Sequence, residues 1–183
     1  MNACAFVVGS RERSGALLLD LAVQLGFTTV LPFAGLADAE RQTRLTPLCF
    51  FLFAEVDDPI AHSKAAQSIR FSGGRLIRFA PLIYFCRAPS LETIKSCIQM
   101  GFDDVIAGPL APKRVAPRLE RLVGTEQVYF ETSSYFGPDR RNRLGIDRPQ
   151  RGDQSAGQFR RLEITRSYEA GVNVLRDDLQ IVL

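Results

Sequence analysis

Short unbroken apolar runs alternate, over the first two thirds of the chain, with stretches in which apolar residues return every third or fourth position. ACAFVV at 3–8 is too short for a helix and suits a strand buried on both faces. After Gly9-Ser10, Leu17, Leu18, Leu21 and Leu25 recur at helical spacing until Gly26 stops the pattern. TTVLPF at 28–33 is β-branched and holds Pro32, which cannot donate to a ladder, so it predicts an edge strand. A short helix over 34–44 leads to LCFFLFA at 48–54, a strand apolar on both faces. A strand of that kind needs a helix above it and another below. A looser helix over 60–71, the turn Ser72-Gly73-Gly74 and the strand PLIYFC at 81–86 come next. A helix at 90–101, a strand at 103–110 and a helix at 112–123 complete the series. In the last helix Val115, Leu119 and Leu122 share one face, and Pro117 is tolerable only in the first turn. Five strands interleaved with five helices predict a doubly wound α/β domain over 1–124, with a five-stranded parallel sheet. In such sheets function gathers at the carboxyl ends of the strands, here Gly9-Ser10, Glu55, Cys86-Arg87 and Gly108-Pro109.

The pattern changes after Gly124, and residues 125–183 read as a C-terminal extension. Tyr129, Phe130, Tyr135 and Phe136 are candidates to anchor its start on the domain. Residues 137–158 are rich in Gly, Pro, Asn, Asp, Gln and Ser, a loop or disordered composition. From Pro138 to Arg161 seven arginines stand against three aspartates. FRRLEITRS and VNVLRDDLQIVL alternate only in part, and suit either the two strands of a hairpin or irregular helix. A lone hairpin is marginal and needs the first domain, or a second copy, to pack on.

Composition adds few constraints. The 183-residue chain is 46% hydrophobic, with a net charge of +3 that by itself does not argue nucleic acid. No apolar run reaches the length of a membrane helix and the first ten residues do not form a signal peptide, so a cytoplasmic protein without membrane contact is expected. Cys4, Cys49, Cys86 and Cys97 lack metal-ligand spacing and read as buried reduced thiols. No cofactor and no metal site is expected.

AFVVGSRERSGALLLDLAVQLGF, FLFAEVDDP, PLIYFCRA, GFDDVIAGPL and PKRVAPRLERLV together cover residues 3–123, and they resemble the receiver domains of response regulators. The most specific part is the G-x-D-D-V-I-x-x-P run at 101–109. The resemblance implies the flavodoxin-like fold of chemotaxis regulators and a place in two-component signalling or a phosphorelay. It also implies a site in which a carboxylate accepts a phosphoryl group beside Mg²⁺ and a Lys. In this chain the acceptor position falls on Glu55, the acid pair on Gly9 and Ser10, the hydroxyl on Cys86, the Lys on Gly108 and the aromatic switch on Val105. Each departs from the family pattern, and a hard cation is left without its oxygen ligands. The resemblance therefore points to a degenerate, pseudo-receiver domain.

Glu55 has two readings. It is either a permanently charged stand-in for a phosphorylated aspartate or a solvated acid paired with Arg87 or Arg11, and the second is the simpler. Asp57-Asp58 reads as a solvated pair, His62 as an exposed loop histidine, and Ser72-Gly73-Gly74-Arg75 as a flexible connection, not a phosphate loop. The expected function is a non-catalytic, phosphorylation-independent signalling module working through protein contacts, with a histidine kinase, a regulator or, as a homodimer, a copy of itself as partner. The alternative is an effector binding a cyclic dinucleotide or nucleic acid through Arg140, Arg141 and Arg143. No aromatic lies between Arg140 and Arg151 to stack on bases, which weighs against single-stranded nucleic acid.

Overall fold

A computed structural model of the chain describes residues 1–9, 13–139 and 158–181. Five strands form a parallel sheet: β1 (Cys4–Val8), β2 (Thr29–Pro32), β3 (Cys49–Phe53), β4 (Leu82–Cys86) and β5 (Asp104–Ala107). Their order is β2-β1-β3-β4-β5, so the chain winds one way from β1 to β2 and the other way from β3 onward. The helices are α1 (Arg13–Gln24), α2 (Leu36–Thr43), α3 (Ser63–Arg70), the single turn α4 (Arg75–Arg78), α5 (Leu91–Gln99) and α6 (Pro112–Glu120). This is the flavodoxin-like α/β fold, with β2 and its Pro32 at the sheet's edge.

β1, β3 and β4 are buried at every position, as their unbroken apolar runs require. Alternate residues feed two cores. Ala5, Val7, Phe50, Leu52, Ile83 and Phe85 meet Leu18, Leu21, Val115 and Leu119 on one face. Phe6, Phe51, Phe53, Leu82 and Tyr84 meet Ile69, Ile77 and Cys97 on the other. All four cysteines are buried and free.

The helix expected over 60–71 is broken in two. Pro59 opens a 3-10 turn (Pro59–His62), the Asp58 carboxylate accepts from the Ile60 N–H at 2.9 Å, and α3 starts only at Ser63. The supposed flexible connection ends one residue early, because Arg75 begins α4 with Gly74 as its cap. Pro117 lies inside α6, past the first turn. It removes one helical hydrogen bond, while Val115 and Leu119 still pack into the core.

The extension is a second sheet, order β7-β6-β8-β9, built from β6 (Gln127–Glu131), β7 (Phe136–Pro138), β8 (Gln158–Ser167) and β9 (Gly171–Ile181). All its pairings are antiparallel, and β8 with β9 form the hairpin that was one of two sequence readings. Tyr129, Phe136, Leu162, Ile164 and Val172 pack around Phe79, which precedes β4. Of the expected aromatic anchors, Tyr129, Tyr135 and Phe136 are buried, while Phe130 lies against Phe159. The second sheet therefore rests on the amino-terminal end of the parallel sheet, opposite the strand ends that carry the candidate site. Among the described residues no helix is long and apolar enough to cross a membrane.

Candidate functional site at the carboxyl end of the parallel sheet

The ends of β1, β3, β4 and β5 converge. Val8 accepts from the Ala54 N–H at 3.0 Å, which brings the residue after β3 beside Gly9. The Gly108 N–H donates to the Cys86 carbonyl at 2.8 Å and the Arg87 carbonyl at 3.1 Å, tying the end of β5 to the end of β4. Glu55 and Cys86 line one strand-end cleft, Gly9 and Gly108 stand at the neighbouring strand ends, and Ser10 lies outside the described residues. The cleft measures about 770 Å³ and is open to solvent, with Arg13, Ser14, Asp57, Tyr84 and Thr93 on its walls.

Glu55 is held at both ends. Its backbone carbonyl accepts from Ser14 Oγ at 2.9 Å, and its Oε1 accepts from the Arg87 backbone N–H at 2.9 Å. The Arg87 guanidinium approaches Oε2 at 3.5 Å with its side chain 92% exposed, a solvated pair that contributes at most about 1 kcal/mol. Arg87 is thus the partner seen; Arg11 lies outside the described residues.

Cys86, at the hydroxyl position, is a neutral thiol at physiological pH, because burial and then the Glu55 charge push it up to about 11. A thiol held in that form is a poor nucleophile. Tyr84 lies two residues before Cys86 and so on the same side of β4. Burial above all raises it to about 12, and its hydroxyl contacts the Val56 backbone.

The two glycines differ in what a side chain there would meet. Gly9 has φ +85°, a conformation that L side chains rarely adopt, and a Cβ there would lie 3.4 Å from Ala54 Cβ and 3.5 Å from His62 Cε1. A Cβ on Gly108 would lie 3.3 Å from the Arg87 carbonyl oxygen, a tight approach that Arg87 would have to relieve. Val105, at the aromatic switch position, is half-buried against the core.

The sequence reading of His62 is corrected here. The ring is buried, hydrogen-bonds through Nε2 to the Ala54 carbonyl at 2.8 Å, and packs edge-on against Phe53 and Tyr84. It props the strand end that carries Glu55, and an isolated histidine in an unmarked segment gave no sign of that. Ser14 and Tyr84 were also missed, although the two-residue spacing from Cys86 places Tyr84 beside the site. Arg140, Arg141 and Arg143 lie outside the described residues. Of the same basic run, Arg160 is paired with Asp177 and Glu131, and Arg161 with Glu163. Among the described residues no three His, Cys, Asp or Glu side chains gather to hold a metal.

A second polar cluster, unforeseen from the sequence, lies at the opposite end of the sheet. Asp103, just before β5, accepts through Oδ2 from Arg70 Nη2 at 2.6 Å and the Leu82 N–H at 2.8 Å. Through Oδ1 it accepts from Arg166 Nη2 at 3.0 Å and the Tyr129 hydroxyl at 2.5 Å. Asp103 and both arginines are essentially inaccessible to water. Burial alone would raise Asp103, but the two guanidiniums override it and hold the carboxyl at about 2. The excess positive charge is spread over backbone carbonyls, with Gly101, Arg78 and Ala80 accepting from Arg70, and Phe79 from Arg166. Arg70 comes from α3, Asp103 from the parallel sheet, and Arg166 and Tyr129 from the second sheet, so the cluster joins the two layers.

In comparison with known proteins, no family model and no curated sequence matches this chain.

Proposed function

We propose that the chain is a pseudo-receiver: a signalling module that does no phosphotransfer chemistry and acts through contacts with other proteins. The observation that carries this reading is the state of Glu55. Its carboxylate sits at the acceptor position, already accepts the Arg87 N–H, and shares its cleft with the neutral Cys86 thiol, while Gly9 and Gly108 stand in sequence where a receiver has an acid and a lysine. Phosphoryl transfer needs a cation and a positive side chain to neutralise the developing charge, and the positions that supply them in receivers are empty of such groups. The flavodoxin-like strand order and the G-x-D-D-V-I-x-x-P run support the receiver part of the reading. The Arg87 N–H bond also favours Glu55 as a fixed negative charge at the end of β3. Partners in this reading are a kinase, a regulator or a second copy.

The test is the intact mass of the full chain after incubation with acetyl phosphate and Mg²⁺. The expected mass is unchanged. Addition of a phosphoryl group, lost on Glu55→Gln substitution, would overturn the reading.

A further inference from the structure

The two edges of the antiparallel sheet differ sharply. β7 closes one side with three residues, whereas β9 is an eleven-residue edge strand, buried at Gly171 and Val172 and open from Asn173 on, with a register shift against β8 at Leu175; on its outer side, among the described residues, no further strand is paired. Along that edge Leu175, Leu179 and Ile181 are 47%, 60% and 60% exposed. Long apolar edges invite another strand, and soluble proteins ordinarily shorten, cover or charge them. β9 is charged only at its middle, by Arg176, Asp177 and Asp178.

Those charges select one partner, a second copy of the same strand. We propose that two copies of the chain join antiparallel along β9, with the two-fold axis at Asp177, to make one continuous eight-stranded sheet. A two-fold axis through an antiparallel pair must place one residue opposite its own copy, because neighbouring residue pairs alternate in hydrogen-bonding type. With the axis at Asp177, Arg176 lies opposite the second copy's Asp178 twice over, within the part of β9 that follows the register shift at Leu175. Each Asp177 already carries its own Arg160, whose Nε lies 3.0 Å away, so the two facing carboxylates arrive with their counter-charges. Moving the axis one residue toward the amino end sets Arg176 against itself and Leu175 against Asp177. Moving it one residue the other way sets Asp178 against itself and Leu179 against Asp177. Opposite charges across a strand pair stabilise it and like charges destabilise it; each of the three registers sets one like-charged pair on the axis, but only the Asp177 register adds two Arg176–Asp178 pairs, so it is favoured over both neighbours. Arg176 and Asp178 pair within the strand at 2.6 Å in the single chain, and the same two groups become cross-strand partners in the dimer. The charges thus repel unrelated strands and accept the identical one.

The inference rests on the reading of the chain as a contact module, and it names that contact. The experiment is sedimentation equilibrium of the full chain with the variants Arg176→Asp and Asp178→Arg, alone and in equimolar mixture. The wild-type chain is expected at about twice its 20.3 kDa mass. Each single variant sets like charges opposite each other and is expected at the monomer mass. The mixture restores Arg–Asp and Asp–Arg pairs in a heterodimer and is expected to recover the doubled mass. Circular dichroism that matches the wild type shows that these substitutions, at exposed Arg176 and half-buried Asp178, leave the fold intact. A monomeric wild type, or single variants as dimeric as the wild type, overturns the proposal. A mixture that stays monomeric overturns the Asp177 register. Phosphoryl uptake from acetyl phosphate would instead sink the pseudo-receiver reading, and leaves the sedimentation result unaffected.

Discussion

The two ends of the parallel sheet hold carboxylates in opposite ways. At the carboxyl end Glu55 is partly solvated, with one backbone N–H and one loosely held, exposed guanidinium. At the amino end Asp103 is sealed from water and receives four hydrogen bonds from groups on both layers. The first arrangement costs little to change and is where receiver chemistry would reside. The second is costly to change, since Asp103 and both arginines are buried and paired with one another. Charge that is dense, buried and fully partnered joins the two layers here, while the charges at the end where function is conventionally sought are open to solvent.

The contrast is broken most severely at Asp103. Asp103→Asn leaves two buried guanidiniums without a counter-charge, and is expected to destabilise the chain by about 3–5 kcal/mol in denaturant unfolding. Arg166→Met should cost less, because it leaves Arg70 and Asp103 as a balanced pair. An equal or larger loss for Arg166→Met would mean that the cluster's excess charge is not what sets the cost.

Acid sharpens the same comparison. Asp103 titrates at about 2 in the folded chain against an ordinary 3.8, so the folded state binds this proton less readily than the unfolded state. Its contribution is therefore fully present above about pH 4 and is lost as pH falls toward 2, on the order of 2 kcal/mol in all. Unfolding free energies between pH 5 and pH 2, compared with those of Asp103→Asn, should show that acid slope only in the parent chain. At the other end, Glu55→Gln should change stability by less than about 1 kcal/mol. A loss as large as that of Asp103→Asn would show that Glu55 is a structural anchor instead of a surface charge.

The legibility of the two ends follows the reach of the interactions. The α/β alternation was readable because a strand buried on both faces must be apolar at every position, and β1, β3 and β4 are. The strand order was not, since nothing in a single run says which strand lies beside it. The carboxyl-end candidates were named from strand ends, and of these the structure brings Glu55, Cys86 and Arg87 into one cleft. The Asp103 cluster could not be located, because its partners lie 33 and 63 residues away along the chain, on α3 and β8. In the sequence Asp103 stood only as one letter of a family-like run, and Arg166 as one more arginine in a basic tail. β6 and β7 were missed because β7 is only three residues long and ends in Gly-Pro.

The most direct test of the central claim is an amide NMR titration of the full chain, first with Mg²⁺ and then with beryllium fluoride, which mimics a phosphoryl group on a carboxylate. A site without its acid, hydroxyl and lysine predicts no saturable shift at Gly9, Glu55, Cys86 or Gly108. Saturable, Mg²⁺-dependent shifts confined to those four strand ends would show a working acceptor site and contradict the account.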